Sequence, residues 1–123
     1  MATRTIEGAR AIVTGASTGI GRALAVELAR QGARTLIVAR REENLRRAAD
    51  AIAAFGPKPV VVVGDVTSSE LRRRIFAEAE TQLGGLDILV NNAGIGALGH
   101  FAEAEPERLR RIMEVNFFAV AET

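Results

Sequence analysis

The residues best suited to chemistry stand near the start of the chain, in the octet Thr14-Gly15-Ala16-Ser17-Thr18-Gly19-Ile20-Gly21. A short apolar run precedes it and a helical pattern follows. Glycines at such a junction let the backbone turn tightly and approach a pyrophosphate closely. The helix behind them offers unpaired N–H groups and a partial positive charge. The spacing is G-x-x-x-G-x-G, not the G-x-G-x-x-G of the general dinucleotide fingerprint. A plain glycine turn joining strand to helix is the competing reading. The flanking strand and helix favour phosphate binding.

Arg40 and Arg41 follow Gly21 by 19 and 20 residues. A dinucleotide site usually places an acid there, on the adenosine ribose 2′-hydroxyl. An acid repels a 2′-phosphate, whereas a guanidinium holds one by charge-assisted, often bidentate bonds. The arginines favour NADP over NAD; otherwise they are two solvated residues opening a helix. Asp65-Val66 closes a run of valines. A carboxylate at the C-terminal end of a parallel strand faces the ligand crevice and can accept from an adenine amine. On spacing alone, a helix-entry role beside Thr67 fits equally. Asn91-Asn92-Ala93-Gly94 offers amides that tie backbone segments together and small residues that leave room for a ribose, although Asn and Gly are also common turn residues. Asn116 interrupts an apolar stripe. A buried amide must be bonded, so it bonds local backbone or holds an ordered water, and the first is favoured.

Composition bounds the rest. The chain has 123 residues, no cysteine, one histidine, and neither tyrosine nor tryptophan. Disulfides, thiolate metal sites and multi-histidine centres are thereby excluded. With 16 basic and 15 acidic residues, net charge is +1, which does not suggest a nucleic-acid binder. No apolar run approaches the ~18 residues of a membrane span, and the first residues lack a signal-peptide stretch. These features predict a cytoplasmic protein without a metal. His100 reads as a surface residue. Arg72-Arg73-Arg74 and Arg110-Arg111 read as solvated helix faces beside acidic neighbours.

The elements that must position these residues alternate strictly. Strands are expected at 9–14, 34–39, 59–64 and 86–90. The first helix carries the stripe Ile20, Leu24, Leu28. The second covers 41–55, with Leu45, Ala49 and Ile52 inward. Four consecutive valines predict a strand buried on both faces. Thr67-x-x-Glu70 forms a capping-box pattern for a third helix with the stripe Leu71, Ile75, Ala79, ended by Gly84-Gly85. After a loop at 95–105, Pro106 opens a last helix carrying Leu109, Ile112, Met113, Asn116, Phe117 and Val120. This β-α alternation predicts an α/β domain over 1–123, with a parallel sheet between helical layers. Right-handed crossovers give strand order 3-2-1-4, with two helices on each face. The fourth strand is then an apolar edge, which invites pairing with another chain. A homodimer or higher assembly is expected, through that edge or the last helix.

Together these motifs resemble the short-chain dehydrogenase/reductase family. Thr14 to Gly21 matches its T-G-x-x-x-G-I-G turn, and Asp65-Val66, Asn91-Asn92-Ala93-Gly94 and Asn116 fall in the family's order. The resemblance implies half of a Rossmann-like, doubly wound fold. It places Gly15, Ser17, Thr18, Gly19, Ile20 and Gly21 around the cofactor phosphates. Arg40, with Arg41, would read the 2′-phosphate, and Asp65 and Val66 would contact adenine. Asn91, Ala93 and Gly94 would flank the ribose and nicotinamide, and Asn116 would hold a water in the proton relay. It implies hydride transfer between NADP(H) and a carbonyl or alcohol. The family's reaction also needs a serine and a Tyr-x-x-x-Lys on later elements, whereas this chain has no tyrosine and its one lysine is Lys58. The chain is therefore expected to be a cofactor-binding half, inactive alone. The alternative is a free-standing nucleotide-binding or structural module, a truncated remnant or engineered folding unit without catalysis.

Overall fold

The computed structural model of the protein describes residues 5–94 and 106–118. Four strands, β1 (Arg10–Thr14), β2 (Arg34–Ala39), β3 (Val60–Val63) and β4 (Ile88–Val90), form one sheet in the order β3-β2-β1-β4. All three pairings are parallel, with Thr14 opposite Val38, Ala39 opposite Val63, and Val13 opposite Val90. This register brings the C-terminal ends of all four strands to one side of the molecule. In open parallel sheets, that side holds the ligand crevice.

Helices α1 (Gly19–Arg30) and α2 (Glu42–Ala53) cover one face, and α3 (Ser69–Glu78) and α4 (Pro106–Met113) belong to the other. The period-2 geometry of strands divides the core accordingly. Val13, Ile37 and Ala39 pack with Ala25, Leu28, Leu45 and Ile52, whereas Ile12, Leu36 and Val38 pack with Leu71, Ile75, Leu83 and Val115. Strand order and the division of helices follow the alternation in the sequence.

Several local expectations need correction. Ile20 is 80% exposed, because the buried face of α1 is Gly21, Ala25, Leu28 and Ala29. The cap of α3 is Ser68, whose hydroxyl accepts from the Leu71 N–H at 3.3 Å. Thr67 instead turns back onto Asp65. β3 is not buried on both faces: only Val62 is fully buried, since the strand lies at the sheet's edge. β4 spans three residues, all half-buried, and among the described residues only β1 pairs with it.

Two helices loosen at their ends. α3 continues as a π-helical turn over Ala79–Leu83 and α4 as another over Glu114–Phe118. The first is held by arginines from the sheet. Arg34 donates to the Gln82 and Leu83 carbonyls at 2.6 and 3.0 Å. Arg10 donates to the Gly84 carbonyl at 2.6 Å and grips Asp87 with a two-pronged contact at 2.9 and 3.1 Å. Cations suit the negative end of a helix. The loop at 95–105, His100 included, and Val120 lie outside the described residues, as do the side chains of Leu109, Ile112 and Phe117. No helix among the described residues is long and apolar enough to cross a membrane.

Candidate functional site

At the C-terminal ends of the strands lies a cleft of about 350 Å³. Its floor is the turn after β1. Gly15 sits at φ +66°, a left-handed conformation that favours glycine, and a β-carbon there would lie 2.8 Å from the Ala93 α-carbon. A β-carbon on Gly21 would meet the Gly15 carbonyl oxygen at 2.5 Å and also strike the Asn92 amide. These glycines let α1 and the turn after β4 close tightly on each other. The closure is hydrogen-bonded. The Thr14 hydroxyl donates to the Val90 carbonyl at 3.3 Å and accepts the Asn92 and Ala93 N–H groups, both at 3.1 Å. The Asn92 amide donates to the Gly15 carbonyl at 3.1 Å.

Thr18 stands at the N-cap of α1, but its side chain makes no capping bond, and the first turn holds no acid. Among the described residues, no side-chain cap or first-turn acid compensates the positive end of the helix, an arrangement suited to phosphate. On the β2 side, Arg40 and Arg41 line the cleft and are exposed, with Arg41 at the N-cap of α2. Glu42 and Glu43 in the same turn pair with Arg46 and Arg47, one helical turn on. The basic wall at the mouth thus comes from Arg40 and Arg41.

The third wall is the corner after β3. Asp65 Oδ1 accepts both the Thr67 N–H at 3.0 Å and the Thr67 hydroxyl at 2.8 Å, while Oδ2 accepts from Arg111 of α4 at 2.5 Å. Burial alone pushes the Asp65 carboxyl up. The hydrogen bonds from Arg111 and Thr67, together with the Arg111 charge, outweigh it and hold the group below the usual carboxylate range. Arg72 of α3 is buried and donates to the Val66 carbonyl at 2.7 Å. Reading Arg72 and Arg111 as solvated is therefore corrected: both arginines brace this corner. Long side chains reach across elements when a carbonyl or carboxylate awaits them.

Ten of the residues singled out from sequence line the cleft: Gly15, Ser17, Thr18, Arg40, Arg41, Asp65, Val66, Asn92, Ala93 and Gly94. Gly19, Ile20, Gly21 and Asn91 lie outside its lining. Gly21 acts from beneath through packing, and Asn91 is exposed. Asn116 is exposed rather than buried and sits in the π-helical turn after α4. Its Oδ1 lies 3.2 Å from where a β-carbon on Gly94 would be. Such turns recur at functional sites because they break the regular hydrogen-bond ladder. Asn44, half-buried in the first turn of α2, also lines the cleft and escaped sequence reasoning. Asn44 follows Arg41 by three residues, a helical spacing that could have flagged it.

Residues 9–123 match the family described as short chain dehydrogenase. This chain belongs to the short chain dehydrogenase family. A short chain dehydrogenase of Pseudocercospora fijiensis is 41% identical over 119 residues, which cover 94% of this chain and 38% of the relative. Among solved structures, a short-chain type dehydrogenase/reductase from Mycobacterium marinum has a TM-score of 0.92 at 37% identity, covering 97% of this chain and 48% of that one. L-Sorbose reductase from Gluconobacter frateurii, in complex with NADPH and L-sorbose, has a TM-score of 0.89 at 35% identity, covering 96% and 45%. The chain spans less than half the length of each of these relatives. Short chain dehydrogenases are oxidoreductases that use nicotinamide cofactors. The glycine floor, the uncompensated α1 terminus and the cleft's position at the strand ends suit such a group.

Proposed function

We propose that the cleft binds NADP(H) and that this chain is the cofactor-binding portion of an oxidoreductase acting on a carbonyl or alcohol. The observation that carries the reading is a single cleft with a glycine floor at the α1 terminus and Arg40 and Arg41 on the β2 wall. The floor takes the pyrophosphate through backbone N–H groups, and the arginines take the 2′-phosphate. Asp65 and Val66 receive the adenine, and Asn91, Ala93 and Gly94 flank the ribose next to the nicotinamide. Asn116 holds a water of the proton relay at that end. The cofactor, when bound, supplies the hydride.

The chain contains no tyrosine, so it does not turn over substrate by itself; a panel of carbonyl substrates with the purified chain should give no NADPH oxidation. That composition also favours a second reading, a nucleotide-binding module without catalysis. An assembly with a second copy, through β4 or the last helix, completes the proposal. It is supported by the half-buried apolar β4 and by Met113 of α4, which is 48% exposed.

Arg40→Ala tests the cofactor assignment. NADPH affinity should fall about tenfold or more, the size of one hydrogen bond to a charged group, while NADH affinity stays unchanged. Equal losses for both, or none for NADPH, would remove Arg40 as the 2′-phosphate reader.

A further inference from the structure

Arg111 reaches Asp65 across 46 residues of sequence, from the last turn of α4 to the corner after β3. The carboxylate it meets is held from both sides. Oδ1 has two donors, the N–H and hydroxyl of Thr67, and Oδ2 has the Arg111 guanidinium. A carboxylate oxygen offers about two acceptor positions. Oδ1 is filled, so the acceptor capacity left for a ligand is on Oδ2. Asp65 lines the cleft, and with both oxygens engaged its plane cannot rotate freely. A fixed carboxylate lone pair accepts an amine hydrogen and repels a carbonyl oxygen.

We propose that Arg111 is a positioning residue that sets Asp65 to select a base with an exocyclic amino group, adenine, over one with a carbonyl in its place, hypoxanthine. This rests on the proposed cofactor reading. It adds a residue of α4 to the adenosine end of the cleft, although α4 follows the turn that receives the nicotinamide end. Without Arg111, Asp65 keeps its bonds to Thr67, but Oδ2 turns to solvent and the discrimination falls.

The pair is 40% and 32% exposed at its two side chains, and ion pairs so open to solvent add little to stability. Replacing Arg111 therefore leaves the fold standing. The test is binding of NADPH and of its deaminated analogue, which carries hypoxanthine on the same sugars and phosphates, followed by nicotinamide fluorescence. The wild-type chain should prefer NADPH about tenfold, the size of one hydrogen bond to a charged acceptor. Arg111→Met should bring that ratio close to one while the melting temperature falls by no more than about 4 °C, and Arg111→Lys should restore most of the ratio. A wild-type ratio in Arg111→Met, or equal weakening of both ligands, would overturn the inference. Equal binding of both ligands by the wild type would overturn it too, but would leave cofactor binding intact. No binding of either would overturn the proposed function itself.

Discussion

At Asp65, burial and hydrogen bonding pull in opposite directions, and hydrogen bonding wins. The folded carboxyl therefore titrates below its unfolded counterpart, which sits near about 3.9. A group depressed in this way binds fewer protons folded than unfolded. Its stabilisation is fully present above the unfolded value and is lost as pH falls through the lower, folded one. Thermal melts from pH 6 down to 2 should show the wild type losing its advantage over Asp65→Asn across the acid end of that range. Parallel melting curves would contradict this. The placement of the Gly15 turn, Arg40 and Arg41 at the cleft was legible because it is local: a turn beside a strand end needs no distant partner. Arg72 and Arg111 were not, since each looks like one charge among many on a helix. Only the fold brings Arg111 to Asp65 and Arg72 to Val66.

In the strands and helices, packing decides where a pattern is honoured. Thr35 in β2 is fully buried, and its hydroxyl has no partner among the described residues. An unpaired buried hydroxyl costs about 1–3 kcal/mol. Thr35→Val, which keeps the branched shape, should stabilise the protein by about 1 kcal/mol and raise its melting temperature by roughly 4 °C. An unchanged or lower melting temperature would show that the hydroxyl is bonded. Gly21→Ala acts in the opposite sense. Its methyl would meet the Gly15 carbonyl oxygen at 2.5 Å, and overpacking of this kind costs about 1–3 kcal/mol. Denaturant melts should show that loss. The stripe of α2 is read correctly from Leu45, Ala49 and Ile52 because all three face the sheet. Ile20 fails the same reasoning. It lies in the first turn of α1, whose buried face is Gly21, Ala25, Leu28 and Ala29, so helical spacing alone does not put it under cover. Ser68 rather than Thr67 caps α3 because Asp65 claims the Thr67 hydroxyl first.

For the whole molecule, topology was the most legible property. Strict β-α alternation and right-handed crossovers narrow the choice to a few doubly wound orders, and the sheet adopts the expected 3-2-1-4. The edges were less legible. Four valines look like a central strand, yet β3 is peripheral, and its sequence reflects packing against both helical layers without full cover. At the other edge, β4 is short and apolar, the kind of edge that attracts another strand. Light scattering coupled to size-exclusion chromatography at micromolar concentration should give twice the chain mass or more, and a clean monomer would contradict the proposed assembly. The central claim is the proposal that the three walls of the cleft hold one nucleotide. The most direct measurement is a parallel titration of NADPH and NADH with the folded chain, followed by cofactor fluorescence against a protein without tyrosine or tryptophan. Saturable binding with NADPH held about tenfold more tightly is the predicted result. Absence of binding by a demonstrably folded protein would contradict the account.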